Sequence, residues 1–167
     1  MLGDLALDAG DTEGAEQDFA RSLAVCEGAG DMRGTANARW GLARVDLLCG
    51  RLDSAAVRLR AALTAFDEFE MRESWLGCLE DHAVLALRLE RPSLAVALAA
   101  AAHAARESAR LERSPRAQRR YEALRAALRA ETTDADFDLA WRQGQGWDGG
   151  EALRRALESS PASPQPA

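Results

Sequence analysis

The sequence contains no lysine; all 21 of its basic side chains are arginine. That absence excludes several chemistries together. A phosphate-binding loop of the Walker type needs a lysine at the β- and γ-phosphates, and a Schiff-base enzyme needs a primary amine. Cysteine is scarce as well. Cys26, Cys49 and Cys78 are odd in number, widely spaced and free of any Cys-x-x-Cys pairing. Neither a disulfide framework nor a structural zinc site is expected, no cofactor is implied, and a reducing cytoplasm fits best. There is no basic amino-terminal region followed by a long apolar run, and the Ala-rich stretch at 95–105 reads as amphipathic with His103 inside it. No signal peptide or membrane span is predicted.

What the chain does contain is an ordinary globular balance, 47% hydrophobic and 29% charged over 167 residues, with a net charge of −6. A modest acidic balance argues against a polyanion as obligatory partner. The charge is unevenly spread. Residues 1–31 carry eight acidic side chains against Arg21 alone, whereas residues 104–130 carry eight arginines against Glu107, Glu112 and Glu122.

The chain also repeats itself. At a shift of 40, Leu2, Leu7, Gly10, Ala15, Phe19, Ser22 and Leu23 fall on Leu42, Leu47, Gly50, Ala55, Leu59, Ala62 and Leu63. A third copy brings Leu87, Ala95, Ala99 and Ala102 to the corresponding places, with Glu90 where the glycine stood and Pro92 two residues later. Self-similarity at such a period is the signature of a helical solenoid. Each copy holds two apolar-periodic segments around a Gly-Asp or Gly-Arg step. Gly10 and Gly50 suit the left-handed position past a helix end, and Asp11 or Asp53 offers a carboxylate to the next helix start. The unit is therefore a helix hairpin. Ala15, Ala55 and Ala95 mark its closest approach, and Phe19, Leu23, Leu59 and Leu63 form a stripe that needs a stacked neighbour.

Past residue 111 the repeat is lost. Ser114 and Pro115 form a capped helix start, Thr133 and Asp134 open another helix, "GQGWDGG" reads as a loop, and a last helix runs from about Glu151 to Glu158. The expected organisation is all-α: hairpin repeats over 1–111, carboxy-terminal capping helices over 112–158, and a disordered tail or linker over 159–167 rich in Pro and Ser.

The repeat resembles the tetratricopeptide repeat, on Leu2-Gly3, Ala15, Phe19 and Ser22, although its period is 40 rather than the usual 34 and Ala6 stands where that family places a tyrosine. The run from His82 onward, with Pro115, Phe137, Ala140-Trp141 and Glu151-Ala152-Leu153, is similar to the carboxy-terminal helical region of large bacterial ATPase regulators joined to LuxR-type DNA-binding modules. The chain itself holds neither a nucleotide-binding core nor a DNA-reading helix pair. The resemblance implies a non-catalytic interaction or regulatory module of a transcriptional regulator, whose partner is a protein, a peptide or a neighbouring domain. The first helix of the first copy is short, so either further chain or self-association as a homodimer is expected at that uncapped end.

In tetratricopeptide arrays the first helices of successive hairpins line a peptide-binding groove. The resemblance places Asn37, Trp40, Arg44 and Leu48 there, with Glu80, Val84 and Arg88 from the third copy. An aromatic ring with an arginine one turn away suits an extended peptide or acidic group; the competing reading makes Trp40 a core residue. Arg106, Arg110, Arg113, Arg116, Arg119 and Arg120 form a basic patch expected to pair within the chain or dock an acidic partner, the alternative being a nucleic-acid backbone. Cys78 and His82, four apart, raise the alternative of a small enzyme or metal site, against the reading that both fill apolar space.

Overall fold

The computed structural model describes residues 2–159, of which nine helices account for most. They are α1 (Leu2–Asp8), α2 (Thr12–Gly28), α3 (Met32–Leu48), α4 (Leu52–Glu68), α5 (Arg72–Arg88), α6 (Pro92–Ser108), α7 (Pro115–Ala130), α8 (Asp134–Gln145) and α9 (Gly149–Ser159). No strand occurs among the described residues, and no described helix is long and apolar enough to cross a membrane.

Helices α2 to α6 are each 17 residues long, and α2 to α5 are each followed by a three-residue corner. The beat of the backbone is thus 20 residues, half the period visible in the side chains. Its cause is one turn used six times. Residues 10, 30, 50, 70, 90 and 110 all take positive φ, from 52° to 78°. At each of them two hydrogen bonds close the preceding helix: at Gly10, for instance, its own N–H donates to Leu7 O and the next N–H, of Asp11, donates to Ala6 O. This is the Schellman arrangement, which satisfies carbonyls that a helix end would otherwise orphan. Gly10, Gly30 and Gly50 adopt it without steric penalty, whereas Glu70, Glu90 and Arg110 adopt it against the usual preference of a residue bearing Cβ.

Entry to each helix is local too. Asp11 and Asp31 accept from the N–H groups of Gly14 and Gly34. Asp53, expected in the same role, lies inside the first turn of α4, which Arg51 precedes without a side-chain cap; it acts there through the helix dipole alone. Ser114, Thr133 and Asp148 cap α7, α8 and α9, and Gly149 and Gly150 belong to α9 rather than to a loop.

Two compact units meet inside α5, one ending at Ser74 and the other beginning at Trp75. In the first, α1 packs on α2, α2 on α3 and α3 on α4, with α1 also touching α3. Ala15, Phe19, Leu42 and Val45 form its core, backed by the partly buried Ala6, Leu7 and Leu23. Phe19 lies in a slot made by two glycines. A Cβ on Gly3 would come within 2.8 Å of the ring, and one on Gly41 would penetrate it. Asp46 is wholly buried and held by Arg51 at 2.6 Å and by Arg58, joining the end of α3 to α4. Removing both arginines would strand a buried charge.

In the second unit α6 packs against α7, α8 and α9. The stretch expected to be amphipathic is buried on every face from Ala95 through Ala102. Its alanines let α8 approach so closely that a Cβ on Gly144 would strike the carbonyl of Ala97. The expected boundary at 111–112 falls within this unit, between α6 and α7. The expected tail, 159–167, lies outside the described residues except for Ser159 at the end of α9.

Candidate functional site

The helical period puts Asn37, Trp40, Arg44 and Leu48 on one side of α3, apart from the side that carries Ala38, Leu42 and Val45 into the core. Leu48 is 59% exposed. Trp40 is half-buried, its ring edge-on to Phe66 at 5.6 Å. The Arg44 guanidinium stands 5.9 Å above that ring and donates to Asp4 of α1 at 2.7 Å. Burial alone would raise the Asp4 carboxyl, but the hydrogen bond and charge of Arg44 override it and hold the group below its ordinary value. Asn37 accepts from the Ser74 hydroxyl at 3.4 Å. The face is therefore a half-open tryptophan and an open leucine, framed by polar groups that are themselves engaged.

The residues expected to extend this face from α5 are placed differently from one another. Arg88 is exposed and Val84 half-buried. Glu80, only 7% exposed, is turned inward. Arg113 donates to one of its oxygens at 2.7 and 3.2 Å, and Arg106 lies 3.9 Å from the same oxygen. Burial pushes the Glu80 carboxyl up, and the two arginines act against that. Asp81 next to it accepts from Arg120 at 2.6 Å.

These pairs divide the basic patch. Arg106, Arg113 and Arg120 serve intramolecular ion pairs, the first two almost wholly buried, while Arg110 and Arg119 are exposed and Arg116 is half-buried. The run of six is not a single solvent-facing stripe, which is what tracking a phosphate backbone requires.

Cys78 and His82 share a face, and both are fully buried. Burial raises the Cys78 thiol well above its ordinary value, and the charge of Asp81 adds to the effect, while Arg120 opposes it. A thiol held this way favours its protonated form, which lowers its nucleophilicity. Among the described residues no three His, Cys, Asp or Glu side chains come together in a way that would hold a metal ion.

One cluster escaped the sequence reading. His103 of α6 stacks on Tyr121 of α7 at 5.7 Å and leans on Trp141 of α8 at 5.6 Å, and Trp141 stacks on Phe137 at 5.4 Å. Arg113 lies 3.6 Å over Tyr121, Arg129 lies 4.0 Å over Phe137, and Arg125 reaches both Tyr121 and Trp141 at under 6 Å. Guanidinium groups over ring faces add cation–π attraction to the packing of the second unit. Burial lowers the His103 imidazole; Glu107 works against that shift, and Arg113 and Arg125 reinforce it. The four-residue spacings of Phe137 and Trp141, and of Tyr121, Arg125 and Arg129, were the available signal, but only tertiary structure brings His103 to them. Compared with known proteins, the chain matches no family model, no curated protein and no solved structure.

Proposed function

We propose that this chain is a non-catalytic helical interaction module, a tetratricopeptide-like solenoid that grips a protein segment. The reading is carried by one observation: on one side of α3 Leu48 is exposed and Trp40 only half-buried, while the rest of the helix supplies the core. A half-open aromatic beside an exposed aliphatic residue offers apolar contact area to an incoming side chain without unfolding anything. The 40-residue period fits a hairpin of two 17-residue helices and two short corners, which lengthens the rods of the usual repeat and leaves its plan in place. The proposal extends to a regulatory or sensing role in a bacterial transcriptional regulator. That part rests on the resemblance of the segment from His82 to Ser159.

Selection of a random peptide display library on the folded chain tests the reading. The expected result is enriched peptides sharing an apolar residue, with binding reduced at least about tenfold by Leu48→Asp and by Trp40→Ala. Failure to enrich any sequence, or enrichment indifferent to both changes, would overturn it.

A further inference from the structure

The two nitrogens of His103 lie in different surroundings. Nε2 is 3.4 Å from Glu107, whose side chain is 68% exposed. Nδ1 is shut off from solvent and has no hydrogen-bond partner among the described residues, and the Tyr121 hydroxyl is in the same position. A neutral imidazole tolerates this arrangement. With its proton on Nε2, facing the carboxylate, it buries only a lone pair at Nδ1, and its ring serves as an aromatic spacer against Tyr121 of α7 and Trp141 of α8.

A second proton does not fit so well. It has to go on Nδ1, where a charged N–H would meet neither water nor an acceptor, and burying such a donor unpaired is costly. The ring would also become cationic beside other cations. Arg113 lies over Tyr121, and Arg125 of α7 reaches both Tyr121 and Trp141. From α6 itself Glu107 attracts the cation, from α8 the neighbour is the uncharged Trp141, and Glu80 of α5 reaches the cluster through Arg113. Burial and the two arginines together outweigh Glu107, so the imidazole is held below its ordinary value of 6.5.

Rotation about the side-chain bonds relieves both costs. The His103 side chain is 26% exposed, so a short outward swing brings Nδ1 to water. The same swing takes the ring off Tyr121 and Trp141, and with it a contact that joins α6 to α7 and α8. We propose that His103 is a proton-operated latch within the second unit: neutral, its ring holds Tyr121 and Trp141 against α6; protonated, it turns out to water and α7 loosens.

The sign follows from linkage. The closed form binds this proton less readily than a ring in water does, so acid favours the open form. Its population rises about tenfold for each unit by which the closed-state value lies below that of the open ring. Glu80 works in the opposite sense, because burial raises its carboxyl and proton uptake there favours the closed form.

Two measurements on the full chain test the latch. A nuclear magnetic resonance titration of the imidazole carbons, assigned by difference from a His103→Phe chain, reads the protonation of His103. Amide hydrogen exchange, corrected for its intrinsic pH dependence, reads the opening of α7. His103 is expected to titrate below 6.5, and the protection of α7 amides to fall about threefold or more between about pH 7.5 and about pH 5.5, with α6 amides keeping theirs. His103→Phe keeps a ring that has no proton to gain and leaves the Glu80 contribution in place, so it should lack this loss; His103→Gln serves as the non-titrating chain if the phenylalanine variant does not fold. The inference is overturned if His103 titrates at 6.5 or above, if the non-titrating chain loses the same protection, or if α6, α7 and α8 lose protection together, which would be unfolding of the whole unit.

Discussion

Introducing a single methyl group at Gly41 tests the slot that holds Phe19. In Gly41→Ala the new Cβ occupies space that the ring now fills, and Gly3 closes the other side, so the ring has no free direction in which to retreat. Overpacking of this kind costs about 1–3 kcal/mol. Alanine also has the better helix propensity, which offsets about 1 kcal/mol within α3. The net expectation is a loss of about 1 kcal/mol, or a few degrees in the unfolding midpoint. Phe19→Leu alone should cost about 1–2 kcal/mol by leaving part of the slot empty. In the Phe19→Leu background, however, Gly41→Ala no longer meets a ring and should become neutral or stabilising by about 1 kcal/mol. The coupling between the two positions, about 1–3 kcal/mol, is the quantity that isolates the contact. Denaturant titrations of the four proteins give it, and hydrogen exchange on α2 and α3 shows whether the loss falls in the first unit. If Gly41→Ala costs the same in both backgrounds, the two residues do not share that space and the packing argument fails.

Gly144→Ala should be the more damaging substitution, roughly 3 kcal/mol or more, because its Cβ meets the main-chain carbonyl of Ala97 rather than a side chain that can rotate; a melting midpoint lowered no more than by Gly41→Ala would contradict this. Glu80→Ala should cost about 3–5 kcal/mol by removing the carboxylate that the buried Arg113 pairs with, measured by urea denaturation. The Asp4 carboxyl is held low in the folded state, so its contribution is present above its unfolded pKa of about 3.9 and lost as pH falls through the lower folded value. Asp4→Asn should accordingly flatten the acid limb of the stability profile; the burial-raised Glu80 has the opposite sign, its contribution diminishing as pH rises through its folded value. Thiol labelling of the native protein should modify Cys49 fastest, Cys26 more slowly and Cys78 only on unfolding, a ranking that mass spectrometry of timed samples would check.

The rods and their small-residue contacts were legible because they follow from local chemistry. Leu, Ala and Phe at helical spacing, Ser114 before Pro115, and glycine at a left-handed corner each act over a few residues. The half-period is hidden in the letters because Glu70 and Arg110 occupy corners of the kind that Gly10, Gly30 and Gly50 fill elsewhere. The candidate face was legible on α3, where the alternation of Trp40, Arg44 and Leu48 with core residues decides orientation. It was not legible on α5. Whether Glu80 faces solvent depends on Arg106 and Arg113, which lie 26 and 33 positions away in sequence. The amphipathic reading of 95–105 failed for a related reason: α8 covers the face that periodicity alone assigns to water.

The six corners carry a further implication for how such a chain can change. Replacing a left-handed glycine by a residue with a side chain introduces about 1–2 kcal/mol of backbone strain, but it also removes about 0.5–1 kcal/mol of unfolded-chain freedom. Much of the one cancels the other. A corner of this type is held by its paired amide bonds more than by its occupant, so substitutions can drift through positions 70, 90 and 110 while the path of the backbone stays as it was. Relatives with no glycine left at any corner could therefore keep the same rhythm of rods, and it would show in their dihedral angles before it showed in their letters.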